Sequence, residues 1–228
     1  MNLLVKRSAV YAFAALILFS SATGAVFGVI ARAASAVSAP VVVIDAGHGG
    51  IDAGVRGITS GVKESDINLS ISYFLKDYFT SAGFETVLTR KSQAGLYGLP
   101  TKGFKLRDMQ ARRQIIEEYG ADMVISVHQN FYPDRTRRGA QVFFNKDSES
   151  GKKLAVCVQD SLNGMDGAVR KVSPLIGDYY MLQCTSSPSV IVECGFLSNA
   201  EDESLLLEES YRKELAYAIF AGAVSYFS

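Results

Sequence analysis

Histidine, cysteine and excess charge of either sign are all scarce in this sequence. Only two His occur in 228 residues. Three Cys cannot all pair, so no disulfide framework holds the fold. Lys and Arg total 23 and Asp and Glu total 23, a formal net charge of zero. That balance argues against nucleic acid as a partner, since such binders carry a basic excess on one face. Charged residues are 20% and hydrophobic residues 48%, a ratio that excludes a disordered chain. There is no internal repeat and no sign of a second folded domain, and the length suits one.

Charge is also missing from one long stretch. After Lys6 and Arg7 the next charged residue is Arg32, and Ser8 to Ile30 is apolar or small throughout. About 20 such residues span a bilayer. A basic start, an apolar run and then small residues is also the layout of a signal peptide. Ala31-Arg32-Ala33 and Ala34-Ser35-Ala36 both offer a small-x-small cleavage pattern. Residues 1–39 are therefore expected to be a signal peptide or an N-terminal membrane anchor, with 40–228 as the catalytic domain. The basic residues ahead of the run keep the amino terminus inside. Everything after Pro40 is then exported, either secreted or held on the outer side of the cytoplasmic membrane.

Beyond Pro40, short apolar runs alternate with amphipathic stretches. Val41 to Asp45 is a β-branched run closed by a Gly-rich turn and reads as a buried strand. Ile67, Ile71, Phe74, Leu75, Tyr78 and Phe79 follow helical spacing, with Gly83 placed to stop that helix. Phe84 to Arg90 reads as a strand, Gly95 to Gly103 as a loop and Leu106 to Tyr119 as a helix. Asp122 to His128 and Ala140 to Phe144 read as strands, and Ser148 to Leu162 as a helix. Ser189 to Cys194 reads as a strand and Glu203 to Tyr226 as one closing helix. The expected fold is α/β: a single domain with a mostly parallel twisted sheet and helices on both faces.

The scarce histidines now matter. His48 lies in the turn after the first strand, His128 ends the run from Met123 to Val127, and Glu193 ends Val190-Ile191-Val192. A sheet of this kind places its ligand site at such strand ends. A charged group there is costly unless it is paired or bound to metal. Two imidazoles and a carboxylate suit a catalytic zinc site with one position left for water. The metal lowers the pKa of that water, and a further carboxylate takes its proton. Asp45, Asp52, Glu64, Asp66 and Glu193 are all candidates, and spacing does not say which binds metal and which is the base.

Four segments carry a resemblance. Ile44-Asp45-Ala46-Gly47-His48-Gly49-Gly50-Ile51-Asp52-Ala53-Gly54 resembles the opening motif of the zinc-dependent N-acetylmuramoyl-L-alanine amidases of type 3. Lys63 to Leu69, Ser126 to Asn130 and Val192 to Asn199 resemble the second, third and fourth motifs, in family order. The resemblance implies that His48, Glu64 and His128 hold one Zn2+ ion and that Glu193 is the catalytic acid/base. It implies hydrolysis of the amide between the lactyl group of N-acetylmuramic acid and the L-alanine of the stem peptide. The partner is then peptidoglycan, as glycan strands with stem peptides, and the membrane too if the leader is uncleaved. An activating protein is left open.

Within the family, the chain looks most like the spore-cortex branch, whose amidases strip the stem peptide so that muramic-δ-lactam can form. The short length, Gly139 to Phe144 after the third motif and Glu193-Cys194 in the fourth carry that likeness. Ala46 stands where many relatives have Pro, and Gln129 where small or apolar residues are common. Two other readings compete: a zinc peptidase acting within the stem peptide, and a non-catalytic wall-binding protein on the same scaffold. Asn130 and Asn199 are expected either to bind substrate or to fix loops. Arg112 could pair with a site carboxylate, but a solvated helix face is the favoured reading, and Cys157 and Cys194 read as small buried core residues. The Tyr179-Tyr180-Met181-Leu182 stretch could line a glycan groove, but aromatics in this setting are more often core, and it is not placed in the site.

Overall fold

The computed structural model describes residues 39–168 and 171–227. The expected leader lies almost wholly outside the described residues. Among those described, no helix is long and apolar enough to cross a membrane.

Six strands form one sheet in the order β2-β1-β3-β6-β4-β5. They are β1 (Val41–Ala46), β2 (Glu85–Leu88), β3 (Met123–Asn130), β4 (Gln141–Phe144), β5 (Leu175–Ile176) and β6 (Ser189–Phe196). Strands β2, β1, β3 and β6 pair in parallel. Strand β4 runs antiparallel to β6, with β5 parallel to β4 at the edge. The expected mostly parallel α/β sheet is observed.

Helices cover both faces, and their apolar spacing explains which face each one meets. Helix α1 (Glu64–Ser81) buries Ile67, Ile71, Leu75 and Phe79, a four-residue repeat that makes one stripe. Helices α3 (Glu149–Asn163) and α6 (Glu209–Tyr226) join it, packing Leu154, Val158, Leu215 and Ile219 into the main core. Helix α2 (Phe104–Glu118) and the short α4 (Tyr180–Gln183) cover the other face over Val43, Val124 and Ile191.

Three expectations are corrected here. The closing helix is two helices, α5 (Ala200–Leu207) and α6, because Glu208 takes an extended ψ of 125° between them. Arg112 is wholly buried rather than solvated, since carboxylates and carbonyls receive it beneath the sheet's end. Cys157 is half-buried, whereas Cys194 is buried in the main core as expected.

Both ends of the described domain meet at the N-terminal end of the strands. The Glu85 amide donates to the Pro40 carbonyl at 3.1 Å. Phe84, just ahead of β2, packs on Phe227 with ring centroids 5.5 Å apart.

Candidate metal centre

The opposite, C-terminal end of the strands carries the site. Alternation along β3 turns Val124, Ser126 and His128 to the α2 side, and along β6 it does the same for Ile191 and Glu193. His128 and Glu193 are register partners on neighbouring strands, and the register slips just after them, between His128 and Asn130. Such a bulge at a strand end re-aims the side chains around it. Cys194 points the other way, into the core, and burial pushes its thiol well above the ordinary range. It is no nucleophile.

Beyond β1 the chain turns sharply, and His48 holds φ at 61°, the left-handed region that a side chain rarely adopts. Strain of that kind persists only where surrounding contacts enforce it. Here the Gly47 amide donates to the Val127 carbonyl at 3.0 Å, which ties the turn to β3. A Cβ at Gly47 would collide with the His128 ring, and one at Gly54 with the Glu64 carboxylate. Glycine at these two positions allows the three polar groups to converge.

His48, Glu64 and His128 present ligand atoms that all lie within 4.8 Å of one another. The Glu64 Oε1 atom is 3.2 Å from His48 Nε2 and 2.9 Å from His128 Nδ1. Behind His48, Asp52 Oδ2 lies 3.1 Å from Nδ1. An outer carboxylate of that kind fixes the tautomer and ring direction of a ligating imidazole. Glu64 is also held by the amides of Val55 and Gln129, at 2.9 and 3.1 Å.

Burial works against ionisation of Glu64, but its hydrogen bonds to His128 and His48 outweigh it and hold it well below the carboxylate range. Burial likewise opposes charge on His48, yet the bonds to Asp52 and Glu64 raise it to about 9. Glu193 is shifted the other way, for burial pushes it up to about 7. The Glu64 charge adds to that rise, against the pull of His128 and His48. Its Oε2 is buried with no hydrogen-bond partner. Gln129 Oε1 is also buried without a partner, but of the two only Glu193 lines the cavity beside the imidazoles, where its free oxygen can meet a ligand.

The five carboxylates that spacing left open thus separate. Glu64 joins the cluster, Asp52 stands behind it, and Glu193 overlooks it unpartnered. Asp66 takes no part in the cluster. Asp45 is buried beneath it, accepting from Thr89, Ser126 and Arg112 at 2.7, 2.6 and 2.5 Å. Burial opposes its charge, but Arg112 and the two hydroxyls hold its carboxyl down at about 2. Asn199 caps α5, accepting from the amides of Glu201 and Asp202, and Asn130 accepts from the Phe131 amide, so both fix loops.

A cavity of about 260 Å³ opens beside the cluster, lined by His48, His128 and Glu193 together with Phe104, Tyr179 and Tyr180. Lys105 stands at its rim, 3.7 Å from Asp52. The two tyrosines line the cavity, the less favoured of the two sequence readings, with rings about 40% accessible rather than core.

The donor set fits zinc. Two imidazole nitrogens and one carboxylate converge, and three such ligands leave a position open for catalysis.

Comparison with known proteins identifies the family. A family model described as N-acetylmuramoyl-L-alanine amidase matches residues 42–225. The germination-specific N-acetylmuramoyl-L-alanine amidase of Bacillus subtilis is 31% identical over 195 residues, covering 84% of this chain and 81% of the relative. The CwlD amidase of Clostridioides difficile, solved in complex with the GerS lipoprotein, superposes with a TM-score of 0.79 at 34% identity. That match covers 82% of this chain and 98% of the solved one. An N-acetylmuramoyl-L-alanine amidase from Clostridium difficile gives a TM-score of 0.74 at 26% identity, over 84% of this chain and 98% of that one.

Proposed function

The chain belongs to the N-acetylmuramoyl-L-alanine amidase family, a family of peptidoglycan hydrolases, and from that premise we propose a zinc-dependent enzyme of spore-cortex maturation. His48, Glu64 and His128 hold the single ion, and Glu193 is the acid/base. The observation that carries the reading is the pairing of a converging two-imidazole, one-carboxylate cluster with an unpartnered carboxylate beside it. The ion, when bound, acts as a Lewis acid that acidifies water and polarises the scissile carbonyl.

The chain's own residues supply the rest. Asp52 holds the His48 ring through Nδ1, so that Nε2 faces inward. Glu193, buried and unpartnered beside the cluster, is placed to accept a proton from the attacking water and deliver it to the departing alanine nitrogen. Phe104, Tyr179 and Tyr180 offer apolar faces for the muramoyl ring, and Lys105 offers a cation to the acidic stem peptide.

The cortex assignment is supported by the germination-specific relative and by the likeness to CwlD. CwlD was solved with a lipoprotein, and we extend to this chain the expectation of a partner protein of that kind. Export follows from the substrate, which lies outside the cytoplasmic membrane, and from the apolar segment ahead of Pro40.

Mass spectrometry of cortex fragments incubated with the zinc-loaded protein tests the reading. Release of stem peptides with a free L-alanine amine, leaving bare muramic acid, is the expected result. Cuts between amino acids of the stem would identify a peptidase instead, and no cleavage would identify a binding protein.

A further inference from the structure

The metal cluster is assembled from chain segments far apart in sequence, and one residue outside the four motifs spans two of them. Arg90, just beyond β2, is only 2% exposed. Its Nε donates to the Ala46 carbonyl at 2.8 Å. Its Nη2 is shared between the carbonyls of Gly47, at 3.0 Å, and Ser65, at 2.7 Å. Its Nη1 donates to the Ser92 carbonyl at 2.8 Å. One planar guanidinium therefore grips the turn that ends in His48 and the first turn of α1, which carries Glu64.

All four of its hydrogen bonds go to main-chain carbonyls and none to a carboxylate. Arg112 nearby has Asp45 and Asp108 to neutralise it; Arg90 has no such partner among the described residues. Burying an unpaired cation costs free energy that packing alone would not select for. A fork of fixed donors is what suits four carbonyls at set angles, and a lysine ammonium does not reproduce that plane. Asn68 adds a parallel brace, donating from Nδ2 to the Gly47 carbonyl at 3.1 Å and to Glu64 Oε1 at 3.2 Å. The brace joins the same two segments, and the Gly47 carbonyl is common to both.

We propose that Arg90 is a positioning residue of the metal centre, setting the spacing between the His48 turn and the Glu64 helix so that their ligand atoms converge before the ion arrives. The inference rests on the zinc reading above. Loss of an outer-sphere support of this kind typically weakens metal binding about 10- to 100-fold.

The test is zinc affinity by competition with a chromophoric chelator, on wild type, Arg90→Lys and Arg90→Gln, with circular dichroism of the metal-free proteins alongside. The expected result is folded variants whose zinc affinity falls about 10- to 100-fold, with an altered visible spectrum of the cobalt-substituted form. Should Arg90→Gln fail to fold, Arg90→Lys, which keeps the cation and most of the volume, decides. A folded Arg90→Lys protein with affinity within about twofold of wild type would overturn the proposal, far short of the expected loss. So would an Arg90→Lys protein that is unfolded without metal, because the arginine would then hold the fold and not the site. Wild type that takes up no zinc fails differently: it removes the metal centre itself.

Discussion

Replacing Glu193 by Gln should make the protein more stable and nearly inactive at once. The carboxylate has one oxygen buried without a partner, and burial lifts it from an ordinary glutamate value to about 7. A carboxylate whose folded pKa is raised binds its proton more tightly in the native state than in the unfolded chain. Its favourable contribution is complete below the unfolded value near 4.5 and is lost as the pH rises through about 7. That gap, at about 1.4 kcal/mol per pH unit, amounts to about 3 kcal/mol.

Glutamine cannot ionise and escapes that loss. Urea unfolding of the zinc-free proteins should therefore give parallel stabilities at about pH 4 and a gain of about 3 kcal/mol for Glu193→Gln at about pH 8. Zinc should shrink the gain, because a nearby divalent cation favours the ionised glutamate. Turnover in the zinc-loaded variant should fall about 10²- to 10⁴-fold, with zinc still bound. Stability curves that stay parallel across the whole pH range would show that Glu193 is not held in a desolvated site. Near-full activity would show that another carboxylate is the base.

Three further outcomes follow from the same geometry. His48→Ala should lose both zinc and activity, and elemental analysis showing full zinc occupancy would contradict the ligand assignment. Arg112→Met should leave Asp45 charged, buried and unpaired at a cost of about 3–5 kcal/mol, which urea denaturation at neutral pH would measure; adding Asp45→Asn should recover part of it. Gly47→Ala should push the His128 ring out of the cluster, so zinc occupancy falls although the substituted residue carries no ligand; unchanged occupancy would mean that the turn can shift.

The strands of the parallel core are legible because Val41 to Ile44 is an uninterrupted apolar run and Met123 to Val127 is broken only by Ser126. The two histidines stood out because they are the only ones and both fall at strand ends. The role of Glu64 came from a family motif, since four acidic residues near the turn look alike on spacing. For Arg112 the less favoured reading, a pair with a site carboxylate, is the observed one; Asp108, Arg112 and Ile116 repeat at four-residue intervals on one buried face of α2. That interval points inward, but an arginine is assigned to solvent unless its carboxylate partner on another strand is known. Nothing local marks Arg90, whose partners are carbonyls. The break at Glu208 involves neither Gly nor Pro, so no residue type announced it, and β5, two residues long, is shorter than any periodicity can register.

Strand β1 separates the chain's point of entry from the cleft. Six residues at about 3.3 Å each put roughly 20 Å between Pro40 and the turn that bears His48. Phe227 leaves from the same end as Pro40. The domain therefore has a handle and a mouth at opposite poles. Cargo joined at Pro40 or Phe227, whether a tether, an affinity tag or a surface, stands clear of a long polymer threading past the mouth. Closely spaced ends also permit circular permutation. Joining them with a short linker and opening the chain in a distant loop would leave the catalytic pole as it is.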